Sequence, residues 1–143
     1  MNRDEWIQQV RAILDADSRV DAGWLFGSRV SGRPHPWSDT DLAVALAPHV
    51  PAIDRLRIQL ELGARLPAPA DGSDLDLVIL DDAGPALAVA VLGGGDLIFC
   101  RSEDRVRDLT FSAYQVYWDL APIRAAMLQA MTARMREGTF GRL

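Results

Sequence analysis

Apolar residues recur at helical spacing in the first part of the chain. Asn2 and Glu5 have the spacing of a helix-capping box, and the amphipathic pattern that follows continues to about residue 16. The apolar members of this pattern are Trp6, Ile7, Val10, Ile13 and Leu14. Because this spacing places them on one side of a helix, the pattern predicts a first, amphipathic helix.

Short apolar runs bounded by glycine, proline or polar residues predict four strands. The first run is AGWLF, which stops at Gly27, and the second is TDLAVAL, which stops at Pro48. The third is DLDLVIL and the fourth is LIFC. Each run is short enough for a strand, so the sequence predicts a small sheet.

Two further helices are expected between these strands. Pro51 suits the first turn of one helix. We expect the inner side of that helix to be formed by Ile53, Leu56, Leu60 and Leu66. Asp81 or Asp82, ahead of Pro85, is expected to open the other helix, which runs through PALAVAVL until GGG closes it.

A long helical segment is predicted over residues 103–137, starting at Ser102 and bent near Pro122. Along its second half, large apolar side chains recur at helical spacing: Ile123, Met127, Met131 and Met135. Core packing and a partner interface both fit this stripe. Helices that alternate with strands over 143 residues predict a single α/β or α+β domain that spans residues 1–143.

Composition and charge narrow the range of functions. No apolar run approaches the roughly 20 residues of a membrane span, so we expect a cytoplasmic protein without a membrane contact. The net charge of −5 argues against direct binding of nucleic acid, although the C-terminal segment is basic. The single cysteine, Cys100, is expected to be a small core residue, so any metal ion would be held by oxygen ligands.

Carboxylates stand at the start of two of the predicted strands. On a strand, Asp39 and Asp41 point to the same side, about 7 Å apart at roughly 3.3 Å of rise per residue. Asp76 joins them if the third strand lies beside the second. Close carboxylates repel each other unless a cation neutralises them, and Mg²⁺ prefers such oxygen ligands. Three carboxylates could hold two such ions, with Asp76 as the candidate to position an attacking hydroxyl.

The turn before these carboxylates suits phosphate. Gly27 can adopt backbone angles that other residues avoid, and the Ser28 hydroxyl with nearby N–H groups can bind phosphate oxygens. Arg29 and Arg33 would add positive charge. Alone, a Gly-Ser pair is merely a turn, and an Asp-x-Asp is more often a solvated strand end. It is their conjunction with a third strand-leading Asp that favours a catalytic site.

These residues resemble a known signature. FGSRVSGRPHPWSDTDLAV, with Gly-Ser, ten residues and Asp-x-Asp, resembles the motif of the DNA polymerase β-like nucleotidyltransferase superfamily, with LDLVIL as the third-carboxylate strand. Within it, SRVSG, SDTDLAV and YWDLAP most resemble the MNT-type minimal nucleotidyltransferases, the antitoxin partners of HEPN-domain RNase toxins. The resemblance runs from Leu25 to Pro122. It implies a small mixed sheet flanked by helices, with a long C-terminal helical segment.

The resemblance also implies roles for individual residues. Asp39, Asp41 and Asp76 would be the catalytic and Mg²⁺-binding carboxylates, and the family pattern favours Asp76 over Asp74 as the third. The nucleotide-binding residues would be Gly27, Ser28, Arg29 and Ser38. AMP would be transferred from ATP to a tyrosine of the HEPN toxin, which neutralises it. Two alternatives stay open: an antitoxin that neutralises by binding alone, and a transferase that acts on a small-molecule acceptor.

Several other residues receive structural interpretations. His35 and His49 lie beside prolines and are expected in surface loops. Trp24 and Trp37 are expected to pack at the rim of the site. Asp71 is expected to stabilise a turn.

Overall fold

The computed structural model describes residues 1–27 and 39–138. Within them, four strands form one mixed sheet: β1 (Val20–Phe26), β2 (Thr40–Leu46), β3 (Leu75–Ile79) and β4 (Asp96–Cys100). The strand order is β3-β2-β1-β4, and only the β2–β3 pair is parallel in this sheet. All four predicted strands, and the mixed character of the sheet, are therefore confirmed.

Five α-helices accompany the sheet in the described part of the chain: α1 (Arg3–Ala16), α2 (Arg55–Arg65), α3 (Pro85–Gly94), α4 (Glu103–Asp119) and α5 (Ala121–Arg136). Short 3₁₀ turns at Ala52–Asp54 and Leu80–Asp82 precede α2 and α3. Within the two described ranges, no helix is both long and apolar enough to span a bilayer.

The sheet is covered on both faces. Side chains of a strand alternate between faces, and Leu42 and Val44 of β2 join a core with residues of α1 and α2. Ala43 and Ala45 of the same strand face a second core with residues of α3 and α4. The packing role predicted for Trp24 is confirmed, although it lies in this second core and not at the rim of the site. The Trp24 side chain lies on the face of β1 that packs against α3.

Helix α1 is stabilised at both ends. The predicted capping box is confirmed, because Glu5 N–H donates to Asn2 Oδ1 and the Glu5 carboxylate accepts from the Asn2 backbone N–H. The last turn of α1 contains no basic residue of its own. Instead, Arg101 from beyond β4 donates to the carbonyl oxygens of Leu14, Asp15 and Asp17. This guanidinium supplies the positive charge that favours a helix C-terminus.

The predicted inner side of α2 is wrong. Ile53, Leu56 and Leu60 are exposed, whereas Ile58 and Leu62 are buried. The segment carries two apolar stripes on opposite sides of the helix, and only the side of Ile58, Leu62 and Leu66 can face the sheet. Of the four residues assigned to the inner side, Leu66 alone is buried.

The start of α3 also differs from the prediction. Gly84 occupies the N-cap, and neither Asp81 nor Asp82 caps the helix. Asp81 accepts a hydrogen bond from the backbone N–H of Leu46 at 2.9 Å, and Asp82 pairs with Arg55 at 2.7 Å. Both aspartates therefore join neighbouring elements, while the glycine run ends α3 as predicted.

The C-terminal segment is two helices rather than one bent helix. Ser102 caps α4 as predicted, because its hydroxyl oxygen accepts a hydrogen bond from the backbone N–H of Arg105. Helix α4 ends at Asp119, and Leu120 separates it from α5. Pro122 lies in the first turn of α5, where its missing N–H is not needed. The methionine stripe does not pack into the core of this chain, so that interpretation of it is wrong. All four of its members are at least 42% exposed: Ile123, Met127, Met131 and Met135.

Buried charges attach α4 to the sheet. Arg105 of α4 lies 3.3 Å from the Asp81 carboxylate and 3.6 Å from that of Asp21. Its guanidinium also donates to the carbonyl oxygen of Leu46 at the end of β2. Cys100, predicted to be a core residue, is only half-buried at the end of β4.

A second charge cluster joins the end of α1 to α2. The buried Asp17 carboxylate pairs with Arg19 at 2.7 Å, and Arg19 pairs with Glu61 at 2.8 Å. Hydrogen bonds from Arg19 hold the pKa of Asp17 below its usual value, against the opposing effect of burial.

This cluster predicts a pH-dependent stability. Because the folded pKa of Asp17 is lowered, its contribution is complete above the unfolded pKa and is lost as the pH falls through the folded pKa. We expect Asp17→Asn to lower the free energy of unfolding at pH 7 by about 2 kcal/mol. Urea unfolding at pH 7 and pH 3 should show that the deficit shrinks at the lower pH. A deficit that is equal at both pH values would contradict this role.

Candidate active site

Asp41 and Asp76 face each other across two parallel strands. In the β2–β3 register, Asp41 pairs with Asp76, between the flanking pairs Thr40–Leu75 and Leu42–Leu77. The expectation that the third strand lies beside the second is thus confirmed. Since Asp41 and Ala43 are two residues apart, the Asp41 side chain lies on the sheet face that carries the α3 and α4 core.

The proximity of these carboxylates is evident in their electrostatics. Burial raises the pKa of Asp41, and the charges of Asp76 and Asp39, with a hydrogen bond to Asp76, raise it further. Asp41 is half-buried, whereas Asp39 and Asp76 are exposed. The structure therefore brings the three predicted carboxylates close enough to interact, at the open edge of the sheet.

Gly27 stands directly against this group. It follows Phe26, which pairs with Asp41 across β1 and β2, and its φ is +91°. A Cβ atom at this position would overlap with Oδ2 of Asp41. The predicted need for glycine backbone angles is confirmed, and the close neighbour that excludes a side chain is a carboxylate oxygen.

Polar contacts that the sequence reasoning missed hold the starts of β2 and β3 together. The hydroxyl groups of Thr40 and Ser73 lie 2.7 Å apart, and the N–H of Thr40 donates to the carbonyl oxygen of Asp74. Ser73 in turn donates to the side chain of Asp71, which confirms the turn predicted there. In the sequence, these contacts are indicated only by the positions of Thr40 and Ser73, each of which is adjacent to an aspartate.

Several predicted residues lie outside the described part of the chain: Ser28, Arg29, Arg33, His35, Trp37 and Ser38. His49 is exposed in the turn that follows β2, as its structural interpretation required. The predicted third carboxylate is Asp76 rather than Asp74, and it is Asp76 that stands opposite Asp41.

The described side chains that could bind a divalent cation at this site are the aspartate carboxylates. Across residues 1–27 and 39–138, no three His, Cys, Asp or Glu side chains are arranged as they would be around a metal ion. Asp41 and Asp76 are nevertheless a cross-strand pair, and the charges of Asp76 and Asp39 both act on Asp41. A hard cation relieves such repulsion, and carboxylate oxygens are the donors that Mg²⁺ takes in proteins. The donor set therefore suits Mg²⁺.

Comparison with solved structures identifies chains of similar fold. A chain of a toxin-antitoxin crystal structure with AMP-PNP is 26% identical with a TM-score of 0.66, over 92% of this chain and 99% of that chain. A chain of the toxin-antitoxin MntA-HepT is 22% identical with a TM-score of 0.65, over 90% and 98%. A chain of the tri-AMPylated Shewanella oneidensis HEPN toxin in complex with MNT antitoxin is 22% identical with a TM-score of 0.65, over 91% and 98%.

Sequence comparison assigns the family. No curated protein matches the chain. The family model described as polymerase beta, nucleotidyltransferase matches residues 8–104, which is more than half of the 143 residues and includes Gly27, Asp41 and Asp76. The chain therefore belongs to the polymerase beta nucleotidyltransferase family.

Proposed function

We propose that this protein is a nucleotidyltransferase antitoxin that transfers AMP from ATP to a tyrosine hydroxyl of a HEPN-type RNase toxin. The observation that carries the proposal is the Asp41–Asp76 pair, crowded at an open sheet edge against a glycine with positive φ. A structural role would favour neutral or paired residues there, because like charges at short range cost stability. In this family the same arrangement suits a cation and phosphate.

The similar structures support the substrates. One of them contains AMP-PNP, an ATP analogue, and another contains an AMPylated HEPN toxin with its MNT antitoxin. Both are of proteins that match nearly the full length of this chain. ATP as donor and a HEPN toxin as acceptor are therefore the substrates that we propose for this site.

The carboxylates would bind and orient the reactants. Asp39, Asp41 and Asp76 would hold Mg²⁺. When bound, Mg²⁺ would neutralise charge on the phosphate oxygens. Asp76, exposed at the sheet edge, would position the acceptor hydroxyl towards the α-phosphorus. The new O–P bond replaces the bond to the β-phosphate, pyrophosphate leaves, and the hydroxyl proton passes to a carboxylate and then to water.

The turn after β1 would hold the rest of the triphosphate. The absence of a side chain at Gly27 lets the Asp41 carboxylate lie directly against the backbone of this turn. We assign Ser28, Arg29 and Ser38 to nucleotide binding as the family resemblance implies.

The exposed side of α5 supports a protein partner. Met127 and Met131, with Ile123, present a flexible apolar stripe on a helix that carries Arg124, Arg134 and Arg136 and no acidic residue within its bounds. An isolated helix of this length is only marginally stable in water, so it benefits from a partner surface. A second copy would present the same positive charge, which favours an apolar, acidic surface of the toxin as the occupant. Neutralisation by occlusion, the second candidate function, would use this same surface.

Asp41→Asn is expected to separate activity from stability. The loss of the metal-binding charge should lower AMP transfer by about 100-fold or more. Because the folded pKa of Asp41 is raised, its ionised form opposes folding as the pH rises through that pKa. The thermal unfolding temperature of the metal-free variant at pH 7 should therefore equal or exceed that of the wild type. Intact mass of the toxin after incubation with ATP and Mg²⁺ measures the transfer.

Asp74→Asn is the matched control for this experiment. This variant removes a carboxylate from the turn that leads into β3. Asp74 is exposed, and the residue that pairs with Asp41 across the strands is Asp76 and not Asp74. Transfer by this variant should be unchanged. Full activity of Asp41→Asn would contradict the catalytic proposal, and a toxin still neutralised by the inactive variant would favour occlusion.

Gly27→Ala is expected to lose both stability and nucleotide affinity. Gly72→Ala provides the comparison, because Gly72 also has a positive φ, of +80°, but nothing lies within 4 Å of a Cβ atom there. Both variants should lose about 1–2 kcal/mol of unfolding free energy from backbone strain. Only Gly27→Ala should also weaken ATP binding in a titration with Mg²⁺. Equal ATP affinities for the two variants would exclude a role of Gly27 at the phosphates.

Met131→Glu tests the partner surface. The new charge on the apolar stripe should raise the dissociation constant for the cognate HEPN protein about tenfold or more. Gln129→Glu adds the same charge to an exposed position on the opposite side of α5 and should have little effect. Surface plasmon resonance with both variants measures the difference. Wild-type affinity of Met131→Glu would exclude this stripe from the interface.

A further inference from the structure

Helix α2 and the 3₁₀ turn before it expose a row of large apolar side chains. Ile53 is 88% exposed, and Leu56 and Leu60 are each 66% exposed. Their spacing of three and four residues places them on one side of the helix, opposite the buried side of Ile58 and Leu62. Single exposed apolar residues are common, whereas a contiguous row of them marks an interaction surface. This row is called the outer stripe of α2 below.

Two small residues continue the outer stripe towards the end of α2. Gly63 and Ala64 are exposed, and a Cβ atom at Gly63 would have no described atom within 4 Å. They follow Leu56 by seven and eight residues, so they lie on the same side of the helix, two turns further along. The stripe therefore ends in a shallow notch. Two copies of α2 fit each other when they run antiparallel, because the Leu56 side chain of each then meets the notch of the other.

The charged residues beside the outer stripe have the same antiparallel complementarity. Arg57 and Glu61 follow each other by one turn along a single flank of the stripe, and their charged groups lie 3.4 Å apart. A twofold axis that relates two antiparallel helices brings the same flank of both together with its order reversed. Arg57 of each copy then faces Glu61 of the other. In a parallel arrangement, this flank of the two helices would lie on opposite sides of the contact.

The charge of α2 also permits a second copy, unlike the charge of α5. Each arginine of α2 pairs with an acidic residue of the chain: Arg55 with Asp82, Arg57 with Glu61, and Arg65 with Asp17. A second α2 therefore brings no unbalanced positive charge to the contact. The two surfaces are also well separated, because α2 packs on the sheet face of α1, whereas α5 continues from α4, which packs on the other face.

We propose that the outer stripe of α2 is a homodimer interface, in which the α2 helices of two copies pack antiparallel about a twofold axis. Leu60 lies near the axis, and Leu56 of each copy packs into the notch of the other. Pairs between Arg57 and Glu61 join the two copies along one flank. The dimer leaves both α5 helices free for a partner.

Sedimentation velocity of the full chain over a dilution series measures the dissociation constant of this dimer. The wild type should sediment as a dimer at micromolar concentration and dissociate on dilution. Leu60→Glu brings two like charges together near the axis and should raise the dissociation constant at least about tenfold. Met135→Glu is the matched control, because it adds the same charge at an apolar residue of α5 that is 64% exposed. It should leave the dissociation constant unchanged.

Gly63→Gln fills the notch without adding charge. Because a Cβ atom at Gly63 has open space among the described residues, this variant should remain folded, which thermal unfolding will show. Its dimer should nevertheless dissociate at least about tenfold more readily.

A mixing experiment tests the antiparallel arrangement. Arg57→Glu and Glu61→Arg should each weaken self-association, because each variant places like charges opposite each other. An equimolar mixture of the two variants should form heterodimers, since every charge then faces its opposite. A mixture that stays monomeric would contradict the antiparallel arrangement.

Two results would overturn the interface as a whole. The first is a wild type that is monomeric at every concentration; a loss of affinity for the HEPN toxin in Leu60→Glu would then assign the outer stripe to the toxin. The second is a dimer that Leu60→Glu and Gly63→Gln leave unchanged, which would place the contact between copies elsewhere. Neither result bears on the proposed transfer of AMP, which is measured separately by the mass of the toxin.

Discussion

The in-register pairing of β2 with β3 is the constraint on which the site depends. It places Asp41 opposite Asp76, although 34 residues of chain separate them in the sequence. Neither strand can slip by one residue, because that would turn its apolar side chains away from the α1 and α2 core. The same pattern that builds the core thus holds two carboxylates together against their repulsion.

The surrounding structure reinforces this pairing at both ends of the strands. At the open edge, Thr40 and Ser73 join the two strand starts through their hydroxyl groups. At the far end, Asp81 accepts from the N–H of Leu46 and pairs with Arg105 of α4. The strands that carry the two carboxylates are therefore held by side-chain contacts at both of their ends. A catalytic geometry requires such support.

Much of the fold could be predicted from local pattern. The capping box of Asn2 and Glu5 and the four apolar runs specify α1 and the strands, because each signal is contained within a few residues. The face of α2 could not be predicted, since Leu56 and Ile58 begin two equally apolar stripes and only packing on the sheet selects one. Likewise, Asp81 and Asp82 have the composition of helix caps, but distant arginines bind them instead.

The sequence predicted that Asp41 and Asp76 lie side by side, but not the contacts that surround them. The spacing of Gly27, Asp41 and Asp76 identified the cluster, and family membership agrees with it. The contact between the hydroxyl groups of Thr40 and Ser73 joins residues 33 positions apart, so no local pattern indicates it. The exposure of Met131 likewise depends on how α5 leaves α4, which the helical repeat does not specify.

The central claim is that Asp41 and Asp76 together hold a divalent cation on the phosphates of a nucleotide. Anomalous diffraction from crystals grown with Mn²⁺ and a non-hydrolysable ATP analogue tests it most directly. The account predicts a manganese peak shared by the carboxylates of Asp41 and Asp76 and by a phosphate oxygen of the analogue. A manganese ion bound to neither aspartate, or an analogue bound elsewhere on the molecule, would contradict it.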